Sequence, residues 1–523
     1  MTPVWMAPEL RRADVIPEPF IEEPNPDGIV ASHAFIISEA TPGRILSAWK
    51  SHPRGSSHWR DLMTKVEFLA KLVSPVFFSA AAESNHTNYE CHKDLNLPAN
   101  YPFNSPGAAR YSQPGNVRTL LLRHQCSWGR FIEEYCNVFH TVHPIINVSE
   151  IQTMISMTSD ELQDVEISLL AEFCAILALG ATTATRDFEL ATEMFLAAEA
   201  CLSKTPFMVR PSLNTLRTMC LMLIAKQMAN ATCWTVDGCW TLLGLISRQA
   251  ASLGLHREPV MFCDSGDDTY QQWKDGQILW LTIIYFNVQV STVSGMPPFL
   301  QPDEIDNMTK LYPWMLEGLE PTELLWNTVI RKSCHVLISA LTRINSDRNR
   351  PSYEETLEYN TQIRRLMMVL ETYDMRPTLR ITLDMFFRRI LLTLHRRYAL
   401  DFEGPTRYTV SYWASLECSL AILVHHRELG EGELAPSGSD MISRFFMLDF
   451  YAAALTACIH LLRQDAPLAD GMAMPPRQTI IETLEACAEL WSKEQHKSVC
   501  FRAGRAMLES VLNLLTNKGS LDV

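Results

Sequence analysis

The sequence predicts an all-α fold, an irregular multi-helical body, and three observations carry that reading. Apolar residues recur at three- and four-residue spacing over long stretches. No segment sustains the two-residue alternation with β-branched enrichment that marks strands. No internal repeat of the kind that builds helical solenoids is visible.

The clearest helical stretch runs from Met194 to Asp306. Trp240, Leu243, Ile246, Ala250 and Leu253 line one face of a helix, Asp237 stands where an N-cap is expected, and Gly254 with Leu255 supplies the left-handed ending. A second helix over about Trp273 to Thr292 carries Ile278, Leu279, Trp280, Ile283, Ile284 and Phe286, so dense a stripe that it is expected to lie at the centre of the core.

Around this centre the chain divides in order. Residues 1–60, with EPFIEEPNPDG and SHPRGSSHW, read as a flexible N-terminal arm, and residues 61–116 as a partly ordered connecting region. Residues 117–345 form the core of the body. It holds helices over Thr119 to Val138, Asp160 to Ala181, Phe188 to Leu202 and Ser212 to Ala229, with Ser149 as a cap after Pro144, and a helix opening at Pro321. Residues 346–523 form the C-terminal helical part of the same body, with helices over Glu354 to Tyr373, Pro377 to Tyr398, Val410 to Glu428, Met441 to Arg463 and Gln478 to Leu515.

Composition bounds the function. The chain is 47% hydrophobic and carries a net charge of -14, which argues against direct nucleic-acid binding because that affinity comes largely from phosphate neutralisation by Lys and Arg. The fourteen cysteines, several inside apolar helical patterns, read as reduced core thiols. No signal peptide is visible, and no stretch approaches the roughly twenty apolar residues of a membrane span, so no membrane role is expected.

A search for chemistry finds little. His86 with Cys91 and His92, His124 with Cys126, His140 with His143, and His425 with His426 lack the paired-cysteine pattern of a zinc site, and no metal or cofactor is expected. There is no nucleophile elbow and no phosphate-cradling glycine loop. His256 and Arg257 follow a helix end, where positive charge meets the negative end of the dipole. With Trp280, Asn287 and Gln289 they are the residues expected to line a ligand pocket, if the core holds one. No residue is assigned a catalytic step, so whether the chain is an enzyme stays open.

Four segments then carry a resemblance. FHTVHPIINVSEI (Phe139 to Ile151), RPSLNTLRTMCLMLIAKQMA (Arg210 to Ala229), WTLLGLISRQAASLGLHREP (Trp240 to Pro259) and ILWLTIIYFNVQVSTVSGMPPFLQPDEID (Ile278 to Asp306) occur in the order of the middle homology region of fungal zinc-cluster transcription factors. The chain resembles that fungal-specific transcription factor domain. The resemblance implies an all-helical regulatory body that in complete members follows a six-cysteine, two-zinc DNA reader, with a nuclear location. It places Leu253 to Arg257 on the family's helix end, and Gly295 with Pro297 and Pro298 on its Gly-x-Pro exit.

The departures are specific. The first two cysteines are Cys91 and Cys126, so these residues hold no zinc cluster. Gln277, Ile278 and Leu279 stand where the family opens its helix with arginines, Asn287 where it commonly has aspartate, and Met296 where it has arginine. The expected function is a transcription-regulator-like protein without its own DNA reader, acting through a DNA-binding partner, a second copy of itself or a sensed small molecule. The alternative is a helical scaffold recruited as a cytoplasmic enzyme or small-molecule binder in specialised metabolism.

Overall fold

The computed structural model describes residues 54–59, 61–62, 95–98, 100–229, 233–257, 267–305, 319, 321–430, 438–463, 476–494 and 499–519. Among these every regular element is helical. The helices are α1 (Pro114–Arg123), α2 (Trp128–Tyr135), α3 (Val148–Ile155), α4 (Glu161–Asp164), α5 (Ile167–Ala184), α6 (Phe188–Leu202), α7 (Leu213–Met228), α8 (Cys233–Ser252), α9 (Asp267–Ser294) and α10 (Pro302–Ile305). They continue as α11 (Pro321–Ile344), α12 (Tyr353–Leu370), α13 (Pro377–Ala399), α14 (Gly404–Arg407), α15 (Thr409–Gly430), α16 (Ser439–Phe445), α17 (Met447–Leu462), α18 (Arg477–Glu494) and α19 (Val499–Gly519).

Local chemistry sets most boundaries. Asn147, not Ser149, caps α3, its side chain accepting from the Glu150 amide at 3.1 Å. Asp187 does the same for α6 through Leu190 at 2.9 Å. Ser212 with Thr215, and Ser352 with Glu355, form reciprocal capping boxes at the starts of α7 and α12. The helix expected to begin after Asp237 begins at Cys233, so Asp237 lies within α8 and is no cap. Its far end is as expected: Gly254 has φ +78°, and the Gly254 and Leu255 amides donate to the Ala251 and Ala250 carbonyls at 3.0 and 3.2 Å, a Schellman ending.

Several long helices predicted from periodicity are broken. Thr119 to Val138 divides into α1, a 3-10 turn at Gln125–Ser127 and α2, then ends in a π turn over Cys136–His140. Asp160 to Ala181 divides at Val165, whose backbone is extended. Met441 to Arg463 becomes α16 and α17, bent by 67° at Phe446. Periodicity is blind to these bends because both arms keep an apolar face on the same core.

A single buried cluster runs from Trp59 to Leu512, joining α2, α5, α7 and α9 with α11, α13, α15, α17, α18 and α19. Within it α5 packs on α2, α6 and α7, α8 on α7 and α9, α11 on α9, and α13 on α12 and α15. From Leu279 to Thr292 every residue of α9 is buried, as its dense stripe implied, whereas Leu253 at the end of α8 is 37% exposed and lies off the core face assigned to it. Helix α5 is long and apolar enough to cross a membrane, contrary to the expectation that no stretch is, but it is 83% buried inside the body. Cys126, Cys136, Cys174, Cys201, Cys220, Cys239, Cys334, Cys418, Cys458 and Cys487 form no disulfide.

The described end of the expected N-terminal arm is packed. Ser57, His58 and Trp59 are buried. The Gly55 amide donates to the Gly295 carbonyl at 2.7 Å, the Ser57 amide to Asn345 Oδ1 at 3.0 Å, and Arg396 Nη1 donates to the Ser56, Ser57 and His58 carbonyls at 2.7, 3.3 and 2.9 Å. Gly295, with φ +67°, is required here: a Cβ would stand 2.7 Å from His58 Cβ and 3.0 Å from the Gly55 carbonyl oxygen. Residues 1–53 lie outside the described residues.

Two glycine substitutions separate steric from backbone requirements. A Cβ on Gly180 of α5 would lie 1.9 Å from the Phe131 carbonyl oxygen of α2, while one on Gly254 meets nothing closer than 3.9 Å. Gly180→Ala is therefore expected to cost about 2–3 kcal/mol by forcing α2 from α5, and Gly254→Ala about 1 kcal/mol for the left-handed backbone alone. Urea unfolding midpoints of the two variants should fall in that order.

Candidate functional site: the α8–α9 seam and its buried charges

Helices α8 and α9 meet along a seam whose polar groups replace the charges expected there. Gln277 Nε2 donates to the Leu255 carbonyl at 2.9 Å, holding the chain just past the α8 ending against α9. Its Oε1 accepts from Arg331 Nη2 of α11 at 3.3 Å, and Arg331 Nε is held by Asn327 at 2.7 Å. A guanidinium thus does reach the start of this seam, supplied by α11 rather than by α9. At the other end Trp240 Nε1 donates to the Pro297 carbonyl at 3.2 Å, and its ring stacks on Phe299 at 4.4 Å, tying α8 to the exit from α9.

The expected ligand-lining residues fall in three places. His256 is half-buried and lies 6.2 Å, ring to ring, from the fully buried Trp280. Arg257 is exposed. Asn287 and Gln289 are buried farther along α9, seven and nine residues from Trp280, or about 10–14 Å of helix rise. The side-chain amides of both have no hydrogen-bond partner in the protein, nor do Trp280 Nε1 and His256 Nδ1. His256 and Trp280 are brought together; Arg257, Asn287 and Gln289 do not join them. None of the five lines the three cavities of about 20 Å³ described in the body, each with room for about one water.

Buried ionic clusters flank the seam, and sequence reasoning named none of their members. Arg217 of α7, 3% exposed, pairs with Glu150 of α3 at 3.2 Å and Asp275 of α9 at 3.1 Å. Asn147 Nδ2 and Gln271 Nε2 each donate to Asp275 at 2.8 Å. Glu172, fully buried on α5, adds a third carboxyl with no hydrogen-bond partner. Burial pushes it up to about 8, since Arg217, which favours its charge, is already engaged by Glu150 and Asp275, which oppose it. Farther along α9, Arg389 of α13 donates through Nη2 to the Gln289 carbonyl at 3.2 Å and pairs with Asp449 of α17 at 3.0 Å. Burial lifts Asp449 to about 6 against the pull of Arg389.

The histidine pairs of the sequence are pulled apart. His143 sits in an aromatic box of Tyr285, Phe286, Trp326 and Phe445, and burial lowers it to about 3, while His140 faces Glu323 at 3.8 Å. His425 bridges Asp384 and Glu428 at 2.6 and 2.7 Å, whereas His426 packs between Phe450 and Trp491. Among the described residues no group of three or more metal-ligating side chains is assembled.

An all-helical body centred on α9, with its Gly-x-Pro exit locked by Trp240, is the setting in which the comparisons with known proteins fall. Residues 132–308 match the family model of the fungal specific transcription factor domain, so this stretch is such a domain, homologous to regions of several fungal zinc-cluster transcription factors. Among similar proteins, transcription factor lepE of Aspergillus flavus is 24% identical over 331 residues, covering 58% of this chain and 39% of its own. Transcription factor opdR of Penicillium oxalicum is 23% identical over 416 residues, 70% of this chain and 50% of its own. The C6 finger domain transcription factor hasF of Aspergillus fumigatus is 28% identical over 189 residues, 35% and 22% respectively. The chain thus spans half or less of the length of these relatives. No solved structure matches it.

The buried Glu172 makes stability depend on pH with a definite sign. Its folded value is raised from 4.5 to about 8, so its favourable contribution is complete below about 4.5 and is lost as pH rises through about 8. Glu172→Gln, neutral throughout, should gain about 4–5 kcal/mol over the wild type above about pH 8, and little below about pH 4.5. Melting curves of both proteins across that range check this; an equal difference at both ends would contradict it.

Proposed function

We propose that this chain is the regulatory body of a transcription regulator, acting in the nucleus through a DNA-binding protein partner and not by reading DNA with the residues present here. The observation that carries the reading is the fungal specific transcription factor domain over residues 132–308, built into one continuous core with the helices that follow it. The similar proteins are named as transcription factors, which supports the regulatory role. The net charge of -14 supports the reading that these residues do not themselves hold DNA. On this reading residues 117–345 and 346–523 work as one body.

A second reading is favoured by one observation, the fully buried and unpartnered amides of Asn287 and Gln289. Such groups cost stability unless something satisfies them. In a body that senses a small molecule, Asn287 and Gln289 would be its buried polar contacts, reached by an opening of the packing around the second half of α9; His256, Arg257 and Trp280 lie too far along the seam to join them.

Two measurements test the first reading together. The purified chain alone should not retard duplex DNA in a gel at physiological salt. Fused to an unrelated DNA-binding domain, it should change transcription of a reporter carrying that domain's site. Retardation by the chain alone, or a silent fusion that accumulates normally in the nucleus, would refute the proposal.

A further inference from the structure

Arg389 and Arg396 stand seven residues apart on α13, two turns along one face. Both line a cavity of about 20 Å³ together with Ser57, Thr292, Thr393 and Asp449. The two threonine hydroxyls are spent on helix carbonyls, Thr292 on Val288 at 2.7 Å and Thr393 on Arg389 at 3.1 Å. The remaining donors are not spent. Arg389 Nε and Nη1, Arg396 Nε and Nη2, and Ser57 Oγ are buried without a protein hydrogen-bond partner. Arg389 and Arg396 are each only 2% exposed, and Ser57 4%.

Charge separates the two guanidinium groups. Arg389 is matched by Asp449 at 3.0 Å. Arg396 has its Nη1 taken by three neutral carbonyls, and the Asp61 carboxylate reaches only to 4.0 Å from that atom, beyond a hydrogen bond. The cavity therefore gathers N–H donors from two cations and a hydroxyl; Asp449 Oδ2, on the same wall, is an acceptor also left without a partner, and Arg396 meets Asp61 only at 4.0 Å. Each buried donor left unmatched costs on the order of 1–3 kcal/mol, and one negatively charged acceptor satisfies several at once.

We propose that this cavity is a binding site for a small monovalent anion of chloride's size, held by Arg389, Arg396 and the Ser57 hydroxyl and covered by residues 54–59. The volume, near that of one water, excludes phosphate and sulfate. The site goes beyond the regulatory reading and does not depend on it. Because Arg396 also holds the carbonyls of Ser56, Ser57 and His58, an anion on its free edge braces the segment through which residues 1–53 join the body.

The test uses the full chain in sodium gluconate buffer, with gluconate replaced by chloride at constant ionic strength. Melting temperature and 35Cl NMR linewidth are followed. A saturable rise in melting temperature and a saturable line broadening are expected, with no competition from phosphate. Arg389→Lys and Ser57→Ala, accepted only where far-UV circular dichroism matches the wild type, should each weaken half-saturation at least about fivefold. The absence of a saturable chloride effect in the wild type, equal competition by phosphate, or unchanged half-saturation in a folded variant would overturn the proposal. The wild-type measurements stand if neither variant folds.

Discussion

The Arg389 guanidinium is the contact on which the continuity of this body turns. It is buried between a backbone carbonyl of α9 and the Asp449 carboxylate of α17, so it joins the central helix of the family-matched region to the C-terminal helices. Breaking a buried pair by removing one partner leaves an uncompensated charge in low dielectric and costs about 3–5 kcal/mol. That is a large fraction of the marginal stability of folded chains. The pairing also restricts how α13 and α17 sit on α9, because purely apolar faces slide more freely than a guanidinium with fixed acceptors. Arg217 does the same nearer the start of α9, fixing α7 to α3 and α9 through Glu150 and Asp275.

The seam between α8 and α9 shows how a scaffold is kept when its charges move. Gln277 replaces an expected arginine, yet a guanidinium still reaches the position from α11 as Arg331, with Gln277 as the acceptor and the Leu255 carbonyl fixed by its amide. At Asn287 no such exchange is seen, and the neutral amide is left unpartnered. The replaced charge is thus compensated at one end of α9 and missing at its middle, which explains why the fold persists while the buried polar pattern is its own.

Helix existence was legible in the sequence because burial imposes a 3.6-residue period, and α9, buried at every residue from Leu279 to Thr292, showed the densest stripe. The endings at Gly254 and Gly295 were legible for a backbone reason, since both carry positive φ. Bends at Val165 and Phe446 were not, because an apolar face persists across them. The buried charges were missed because a charge on a helix normally marks the solvent face. Their signal was nonetheless present for two of them: Glu172 in SLLAEFCAIL and Asp449 in FMLDFYAAAL are lone charges inside apolar runs, whereas Arg389 stands beside Arg388 and gives no such signal. His256 and Trp280 lie together on the seam. Asn287 and Gln289 were grouped with them on polarity alone, and helix geometry sets them two turns and more away.

The central claim is that the matched domain and the helices after it form one cooperative body held through buried charge. Hydrogen exchange followed by mass spectrometry on the wild type and on Arg389→Leu tests it most directly, comparing amides of α9 with those of α13 and α17. The account predicts that in the wild type all three helices exchange through openings of the same free energy, and that the substitution lowers protection in all three together. Loss of protection confined to α13 and α17, with α9 unchanged, would contradict it.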